Sequence, residues 1–190
     1  MKFRILGGTH KGRGFDAGLD SRTRPTSQKH REMVFAVLAG QLEGRPFLDA
    51  FSGSGAMGLE ALSRGASRAV LVESDRRQAE SIRRNADQLG WARQAVVLTG
   101  DVYRLGDRLA GPFGVIFIDP PYQAGFTAFD LAHSWLEQDG ILVMEKSKRE
   151  QTALDLNLFQ VWKHKLSGDS EFYFLTKTTT AVAAPEGKIP

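Results

Sequence analysis

The N-terminal part of the chain predicts a small strand pair followed by one helix. Two short apolar stretches, at 3–6 and 15–19, are separated by sequence rich in Gly, Lys and Arg, which favours a hairpin or a loose strand pair. Between 33 and 42, apolar residues recur at the i, i+3 and i+4 spacing of an amphipathic helix. Thr26 or Ser27 is the expected N-cap of this helix, and a Gly-Arg-Pro sequence ends it.

Beyond this helix, short apolar runs alternate with helical patterns. The predicted strands are 47–51, 69–73, 95–98, 115–118 and 141–144. The segments between them predict helices at 58–64, 76–89 and 126–136, and a short helix or loop at 102–109. Buried strands that alternate with helices are typical of βαβ crossovers, which form a parallel sheet covered on both faces.

Towards the C-terminus the pattern changes to that of antiparallel strands. Strand-like sequences at 158–166 and 171–177 flank the turn signal Ser-Gly-Asp-Ser, so we expect a hairpin that completes a seven-stranded sheet. The tail at 178–190 is rich in Thr, Ala and Pro and is expected to be disordered. The predicted organisation is an N-terminal extension at 1–45, an α/β domain at 46–177 and this tail.

Positive charge is concentrated at the N-terminus. The whole chain has a net charge of +3, whereas residues 1–31 contain eight Lys or Arg and only two Asp. A basic extension on a mildly acidic body is typical of an arm that binds a polyanion, although a solvated terminus without a partner explains the charge equally well.

Composition narrows the possible chemistry and location. The chain has no cysteine, which excludes disulfides, thiolate metal sites and a cysteine nucleophile. No apolar run is long enough to span a membrane and no signal-peptide pattern is present, so a cytoplasmic location is expected. The four histidines lack metal-ligand spacing, and the three tryptophans are expected to be core or surface aromatics rather than platforms for bases.

A glycine-rich loop is the first candidate for a binding site. Gly53-x-Gly55-x-x-Gly58 lies between a predicted strand and a predicted helix. Glycines at these positions let the backbone turn tightly and approach a ligand, and the N-terminus of the following helix supplies free N–H groups. The alternative is a tight turn without a ligand, but the carboxyl ends of parallel strands are where such folds bind ligands.

Three carboxylates near this loop indicate a nucleoside cofactor. Glu73 ends the second predicted strand, 20 residues after Gly53, where an acidic side chain can accept hydrogen bonds from ribose hydroxyls. A nicotinamide dinucleotide and S-adenosylmethionine both fit this spacing. Asp49 favours the latter, because a carboxylate beside the loop attracts an ammonium group and repels a pyrophosphate. Asp101 follows the third strand and can accept from an adenine amino group, or it can simply cap the next helix.

Asp119-Pro120-Pro121-Tyr122 is the most informative sequence in the chain, and it follows a buried strand. Two prolines stiffen the loop and leave carbonyl groups without local donors. A planar base can stack on Tyr122 while its exocyclic amino group donates to Asp119 and to the Pro120 carbonyl. Such acceptors stabilise the positive charge that grows on the nitrogen during methyl transfer. The sequence therefore predicts an enzyme that methylates a base amino group without a metal.

These motifs resemble those of the RsmD-type 16S ribosomal RNA guanine-N2 methyltransferases. The similarity includes the Asp49–Ala66 segment, the Asp-Pro-Pro-Tyr sequence and the N-terminal sequences Arg4-Ile-Leu-Gly-Gly8, Lys11-Gly-Arg13, Arg24-Pro-Thr26 and Arg31-Glu-Met-Val-Phe35. The resemblance runs from about residue 3 to about residue 177. It implies a Rossmann-like S-adenosylmethionine-dependent fold, with guanine 966 of 16S RNA in the small subunit, or in an assembly intermediate, as the substrate.

The resemblance also implies site residues. Those expected to hold the cofactor are Asp49, Phe51, Ser52, Gly53, Ser54, Gly55, Gly58, Glu73, Ser74, Asp101 and Val102. Asp119, Pro120, Pro121 and Tyr122 would hold the target base, and family members often have Phe where Tyr122 stands. The cations expected to grip RNA phosphates are Arg4, Lys11, Arg13, Arg22 and Arg24.

Two other functions compete with this interpretation. A DNA adenine-N6 or cytosine-N4 methyltransferase uses a similar pocket, but about 45 residues outside the core fold are few for a DNA-recognition region. An NAD-binding oxidoreductase or a non-catalytic nucleotide-binding module leaves the Asp-Pro-Pro-Tyr sequence unexplained. Nothing in the sequence demands an oligomer, a membrane or a metal, and a monomer is expected.

Overall fold

The computed structural model describes residues 2–16, 18, 27–109, 111–119, 127–148 and 157–178. Within these residues nine strands are present: β1 Lys2–Arg4, β2 Gly14–Asp16, β3 Pro46–Asp49, β4 Arg68–Glu73, β5 Ala95–Thr99, β6 Phe113–Ile118, β7 Leu136–Ser147, β8 Phe159–Ser167 and β9 Ser170–Lys177. The α-helices of the same residues are α1 Gln28–Val37, α2 Ala56–Ser63, α3 Arg76–Leu89, α4 Val102–Leu105 and α5 Thr127–Trp135.

The main sheet has seven strands in the order β5-β4-β3-β6-β7-β9-β8. Strands β3 to β7 pair in parallel, and β9 pairs antiparallel with both β7 and β8. This confirms the predicted α/β fold, in which a mostly parallel sheet ends in a C-terminal antiparallel hairpin. The separate β1–β2 pair is antiparallel, as the N-terminal apolar stretches predict.

Side chains of alternating direction fill the two faces of the sheet. Phe47, Leu71 and Phe117 pack on the face covered by α1, α2 and α3. Leu48 and Ile116, one residue away on the same strands, pack on the face covered by α4 and α5. Strands buried on both faces explain why the sequence shows continuous apolar runs rather than alternation.

Two predicted boundaries are wrong. The helical pattern that runs to Leu42 belongs to a helix that ends at Val37, and both Leu38 and Leu42 are buried from the turns that follow it. The last parallel strand is three times longer than predicted, because β7 continues from Leu136 through the polar residues 137–140. Pairing with β6 shifts register there, so the polar stretch interrupts the apolar pattern without ending the strand.

The N-terminal extension shares one hydrophobic core with the α/β domain. Phe3, Ile5 and Phe15 are buried in the same cluster as Phe35 of α1 and Leu59 of α2. Ser27, one of the two expected caps, is the N-cap of α1, because its side chain accepts a hydrogen bond from the His30 N–H. The extension is therefore held by packing as well as by chain connectivity.

Glu60 of α2 fixes this extension in place. Its carboxylate is completely buried and accepts from the Leu6 N–H at 2.7 Å and from the Arg64 Nε at 2.7 Å. Arg31 of α1, which is 2% exposed, lies 3.8 Å from the same carboxylate and also donates to the Arg4 carbonyl. One buried anion thus joins β1, α1 and α2.

We predict that Glu60→Gln lowers the free energy of unfolding by about 3 kcal/mol or more, because two arginines lose the charge that compensates for their desolvation. The matched control is Glu80→Gln, which breaks the exposed Arg76–Glu80 pair on α3 and should change stability by less than about 0.5 kcal/mol. Urea unfolding of both variants provides the measurement. Equal, small changes would show that Glu60 is not a structural anchor.

Candidate active site

The candidate site lies where the carboxyl ends of β3, β4 and β6 meet. β3 occupies the middle of this group, with β4 on one side and β6 on the other, so the chain leaves β3 at the point where strand order reverses. Loops that diverge to opposite faces at such a point leave a crevice, and this is where open α/β sheets bind ligands. A ligand-binding crevice is therefore expected at the carboxyl edge of the sheet.

The glycine loop connects β3 to α2 and needs its glycines for two different reasons. Gly53 and Gly55 have φ values of +49° and +76°, which other residues rarely adopt, and Gly55 caps α2. A Cβ added to Gly58 would lie 2.5 Å from the Leu71 side chain, so Gly58 lets α2 pack closely on β4. No atom of the described residues lies within 4 Å of a Cβ built on Gly53, which leaves that part of the loop open to a ligand.

The two serines of this loop stabilise its turn. The Ser52 hydroxyl donates to the Asp49 carbonyl at 2.9 Å, and the Ser54 hydroxyl accepts from the Ala56 N–H at 3.4 Å. Both serines are buried, whereas Phe51 between Asp49 and Ser52 is half-buried and contacts the α4–α5 side of the core. Their roles in the described structure are local, and their predicted contact with a cofactor stays a prediction.

Asp49 ends β3 beneath the loop and is only 1% exposed. Its Oδ2 atom accepts from the Gly58 N–H at 3.2 Å, while Oδ1 is buried without a hydrogen-bond partner among the described residues. Burial raises the pKa of Asp49 to about 7, with the charge of Glu73 raising it further and the Gly58 hydrogen bond opposing the shift. A buried acceptor with unused capacity suits a cationic ligand group.

Glu73 ends β4 and contacts the loop directly. Its Oε2 atom accepts from the Gly53 N–H at 2.8 Å, and Oε1 accepts from the Asp75 N–H at 2.8 Å and from the exposed Ser74 hydroxyl at 3.3 Å. The 20-residue spacing in the sequence therefore becomes a hydrogen bond across neighbouring strands. Glu73 lies at the open side of the loop, where a ribose hydroxyl could compete for its oxygens.

Asp101 and Val102 follow β5, the strand beside β4. Asp101 caps α4 by accepting from the Tyr103 N–H at 3.0 Å, and its other oxygen lies 3.9 Å from Arg104. Asp101 therefore caps α4, which is one of the two roles expected for it. The second oxygen of Asp101 faces the exposed Arg104 side chain. Val102 is buried in the core beneath this turn.

Asp119 follows β6, on the other side of β3. The pairing of Asp49 with Phe117 and the hydrogen bond from the Ala50 N–H to the Phe117 carbonyl at 3.0 Å bring the end of β6 beside the start of the glycine loop. Asp119 itself is half-buried. The other three residues of the predicted base-binding sequence, Pro120, Pro121 and Tyr122, lie outside the described residues.

Three of the predicted RNA-binding cations, Arg4, Lys11 and Arg13, lie within the described residues. Arg4 and Lys11 are exposed, whereas Arg13 donates to the Gln88 and Leu89 carbonyls at 3.0 and 3.5 Å, at the C-terminus of α3. That end lies at the amino edge of the sheet, about 21 Å from the N-terminus of a helix of 14 residues. Arg13 therefore stabilises a helix end, and Arg22 and Arg24 lie outside the described residues.

Two residues at the site have no signal in the sequence analysis. Gln78 of α3 is buried and donates from Nε2 to the Gly53 carbonyl at 3.2 Å, which couples α3 to the loop. Tyr103 places its ring 6.1 Å from the Phe51 ring, and its buried hydroxyl has no hydrogen-bond partner among the described residues. Only the packed structure reveals the contacts of these two residues.

No group of three or more His, Cys, Asp or Glu side chains is arranged to hold a metal ion in the described part of the chain. No helix within the same residues is long and apolar enough to cross a membrane.

Comparisons with known proteins identify the family to which the chain belongs. Residues 3–176 match the family model described as conserved hypothetical protein 95. Ribosomal RNA small subunit methyltransferase D of Escherichia coli K12 is 32% identical over 148 residues, which are 76% of this chain and 74% of that protein. The protein of the same name from Buchnera aphidicola of Acyrthosiphon pisum is 27% identical, over 94% of this chain and 95% of its own length.

Solved structures give the same result for the fold. Escherichia coli yhhF superposes with a TM-score of 0.84 at 27% identity, and the match covers 94% of this chain and 99% of that one. A methyltransferase from Geobacter sulfurreducens, 13% identical, superposes with a TM-score of 0.67 over 80% of each chain, which bears on the fold alone. The fold is the Rossmann-like fold of S-adenosylmethionine-dependent methyltransferases, and the chain belongs to the conserved hypothetical protein 95 family, the RsmD family of methyltransferases.

Proposed function

We propose that this protein transfers a methyl group from S-adenosylmethionine to the exocyclic N2 of a guanine in 16S ribosomal RNA, and that the target is guanine 966, as the family resemblance implies. The observation that carries the proposal is the meeting of two strand ends. The glycine loop with Asp49 follows β3, and Asp119 follows the neighbouring β6. Membership of a family whose named relatives are ribosomal RNA methyltransferases supports the class of substrate.

The carboxylates around the loop fit the polar groups of S-adenosylmethionine. Asp49, buried and with one unpaired oxygen, suits the ammonium group of the methionine part. Glu73 and Asp101, at the ends of the next two strands, suit the ribose hydroxyls and the adenine amino group. When bound, this cofactor supplies a methyl group already activated by a positively charged sulfur.

The protein's own contribution would be alignment and charge stabilisation. A guanine amino group is a weak nucleophile because its lone pair is delocalised into the ring. Asp119, half-buried at a strand end, would accept a hydrogen bond from this group and favour a localised lone pair. Its negative charge would stabilise the positive charge that develops on the nitrogen. A paired guanine would have to leave its helix to reach Asp119.

The direct test is a map of modified bases in 16S ribosomal RNA from cells with and without the gene, read by mass spectrometry of RNA fragments. We expect one guanine to lose its N2-methyl group when the gene is deleted and to regain it when the gene is restored. Identical maps would contradict the ribosomal substrate. Calorimetric titration with S-adenosylhomocysteine and with NAD then separates the cofactors, and tight binding of NAD alone would exclude methyl transfer.

We predict that Asp119→Asn lowers the turnover number by a factor on the order of 10²–10³, because the amide no longer supplies negative charge to the reacting nitrogen. The affinity for S-adenosylhomocysteine should stay within about twofold, since Asp119 follows β6 and not the glycine loop. Asp87→Asn, an equivalent change on the exposed side of α3, is the control and should leave both quantities unchanged. Near-normal turnover of the Asp119 variant would exclude the proposed role.

Because the pKa of Asp49 is raised, we expect both the stability of the protein and its affinity for S-adenosylhomocysteine to depend on pH. Because its pKa in the folded protein, about 7, lies above the ordinary value of 3.8, the folded state holds this proton more tightly than the unfolded state. This group therefore lowers the free energy of unfolding as pH rises from about 4 to about 7, by at most about 1.4 kcal/mol per pH unit, and adds no further change above pH 7. S-adenosylhomocysteine, which carries the same ammonium group, should bind more tightly over the same rise.

Asp49→Asn tests this dependence, since the amide oxygen can still accept from Gly58. Relative to the variant, the wild-type protein should lose stability between pH 5 and pH 7 in urea unfolding. The variant should bind S-adenosylhomocysteine weakly and with little change between pH 6 and pH 8. Parallel pH profiles of stability would mean that Asp49 is ionised throughout, and equal affinities for S-adenosylhomocysteine would mean that Asp49 does not meet the ammonium group.

A further inference from the structure

The outer strand β8 is unusual in its exposed apolar surface. All seven residues at 160–166 are exposed on a strand whose two end residues are buried. The exposed large hydrophobic side chains of the described residues are Val96, Val161, Trp162 and Leu166, and three of these four lie on β8 with exposed fractions of 44%, 43% and 59%. Exposed apolar side chains concentrated on one strand indicate a surface that binds a partner or a ligand.

A bulge turns Trp162 outwards. Val161 pairs with Leu175 and Lys163 pairs with Phe174, so Trp162 has no opposite residue on β9. Its ring meets the Phe174 ring edge-on at 6.5 Å while the side chain stays 43% exposed. Bulges of this kind redirect a side chain and are frequent where an edge strand has a function.

Two lysines share a face of β8 with Trp162, since Lys163 and Lys165 pair with Phe174 and Phe172, and the Trp162 ring contacts Phe174. Lys163 lies 5.1 Å above the Trp162 ring, and Lys165 is exposed two residues further along. On the other face, His164 stacks on Tyr173 at 4.3 Å with an angle of 18° between the rings. No acidic residue occurs at 160–166. Flat rings combined with lysines are what a nucleic acid needs, because rings stack on bases and cations bind phosphates.

The position of β8 suits a substrate that is already held at Asp119. In the sheet, β4 and β5 lie on one side of β3, whereas β6, β7, β9 and β8 lie on the other. The end of β8 at Ser167 is paired with Ser170, which pairs in turn with Ser147 at the carboxyl end of β7. β8 therefore reaches the same edge as Asp119, three strand spacings or about 15 Å from β6.

We infer that Trp162, Lys163 and Lys165 of β8 form a docking surface for the RNA that flanks the target base. Trp162 provides a stacking platform, and Lys163 and Lys165 bind phosphates. This inference rests on the proposed function, since it assumes that the substrate is RNA. A second copy of the chain is a poorer occupant, because pairing of two β8 edges would bring Lys163 and Lys165 close to the same charges of the other copy.

The test uses Trp162→Ala and the double variant Lys163→Glu/Lys165→Glu in the full chain. Affinity for protein-free small-subunit ribosomal RNA, measured by filter binding over a range of salt, should fall about tenfold for each. The double variant should also reduce the slope of log affinity against log salt by about 2, whereas the tryptophan variant should leave the slope unchanged. S-adenosylhomocysteine affinity and the circular dichroism spectrum should match the wild type, which excludes misfolding.

The matched control is Arg84→Glu/Arg93→Glu, which makes the same change in net charge at exposed positions on the β5 side. Equal loss of RNA affinity in the control would overturn the inference, since it would reflect overall charge alone. Loss of activity only on protein-containing subunits, with RNA affinity intact, would assign β8 to a protein partner and also overturn it. Failure of the proposed function looks different, because the wild-type protein would then bind RNA without methylating it.

Discussion

A buried carboxylate on α2 determines how the N-terminal extension and the glycine loop are placed relative to each other. Glu60 lies one turn into α2, which begins at Ala56, and it is completely removed from water. A charge in this position must be paired, so Arg31, Arg64 and the Leu6 N–H have to converge on it. Because α2 begins at the glycine loop, the contacts that fix the extension also fix the axis of the helix whose N-terminus faces the candidate cofactor site.

The site is built from carboxylates in different environments. Asp49 is 1% exposed and has a raised pKa, while Glu73 ends β4 and Asp119 follows β6, the strands on either side of β3, and both are half-buried. A parallel sheet makes this possible, because each strand ends at the same edge and delivers one side chain from a distant part of the sequence. The buried group therefore suits a cation, and the more exposed ones can be reached from solvent.

The sequence predicts those parts of the fold that depend on local pattern. Apolar runs identify β3 to β6, and glycine spacing identifies the loop, because both reflect constraints on consecutive residues. The end of α1 is missed because Leu38 and Leu42 keep helical spacing while being buried by turns. The length of β7 is missed because a shift in register carries the polar residues 137–140 out of the pattern.

Contacts between distant elements escape sequence reasoning for a related reason. Nothing near Gln78 in the sequence indicates that α3 will place its amide on the Gly53 carbonyl. Nothing near Arg13 indicates that its guanidinium will bind the last carbonyls of α3. Composition correctly describes the first 31 residues as basic, but it does not distinguish a cation that stabilises a helix end from one that faces a partner. That distinction needs the packed structure.

The apolar side chains of the N-terminal strand pair, Phe3, Ile5 and Phe15, are buried in the core with α1 and α2. Under the proposed function, substrate recognition can instead use surfaces of the sheet fold itself. The exposed side of β8 is such a surface, because an edge strand has no second neighbour in the sheet and is free to face a partner. In the inferred docking surface, the bulge that exposes Trp162 and the lysine that follows it provide the contacts for RNA.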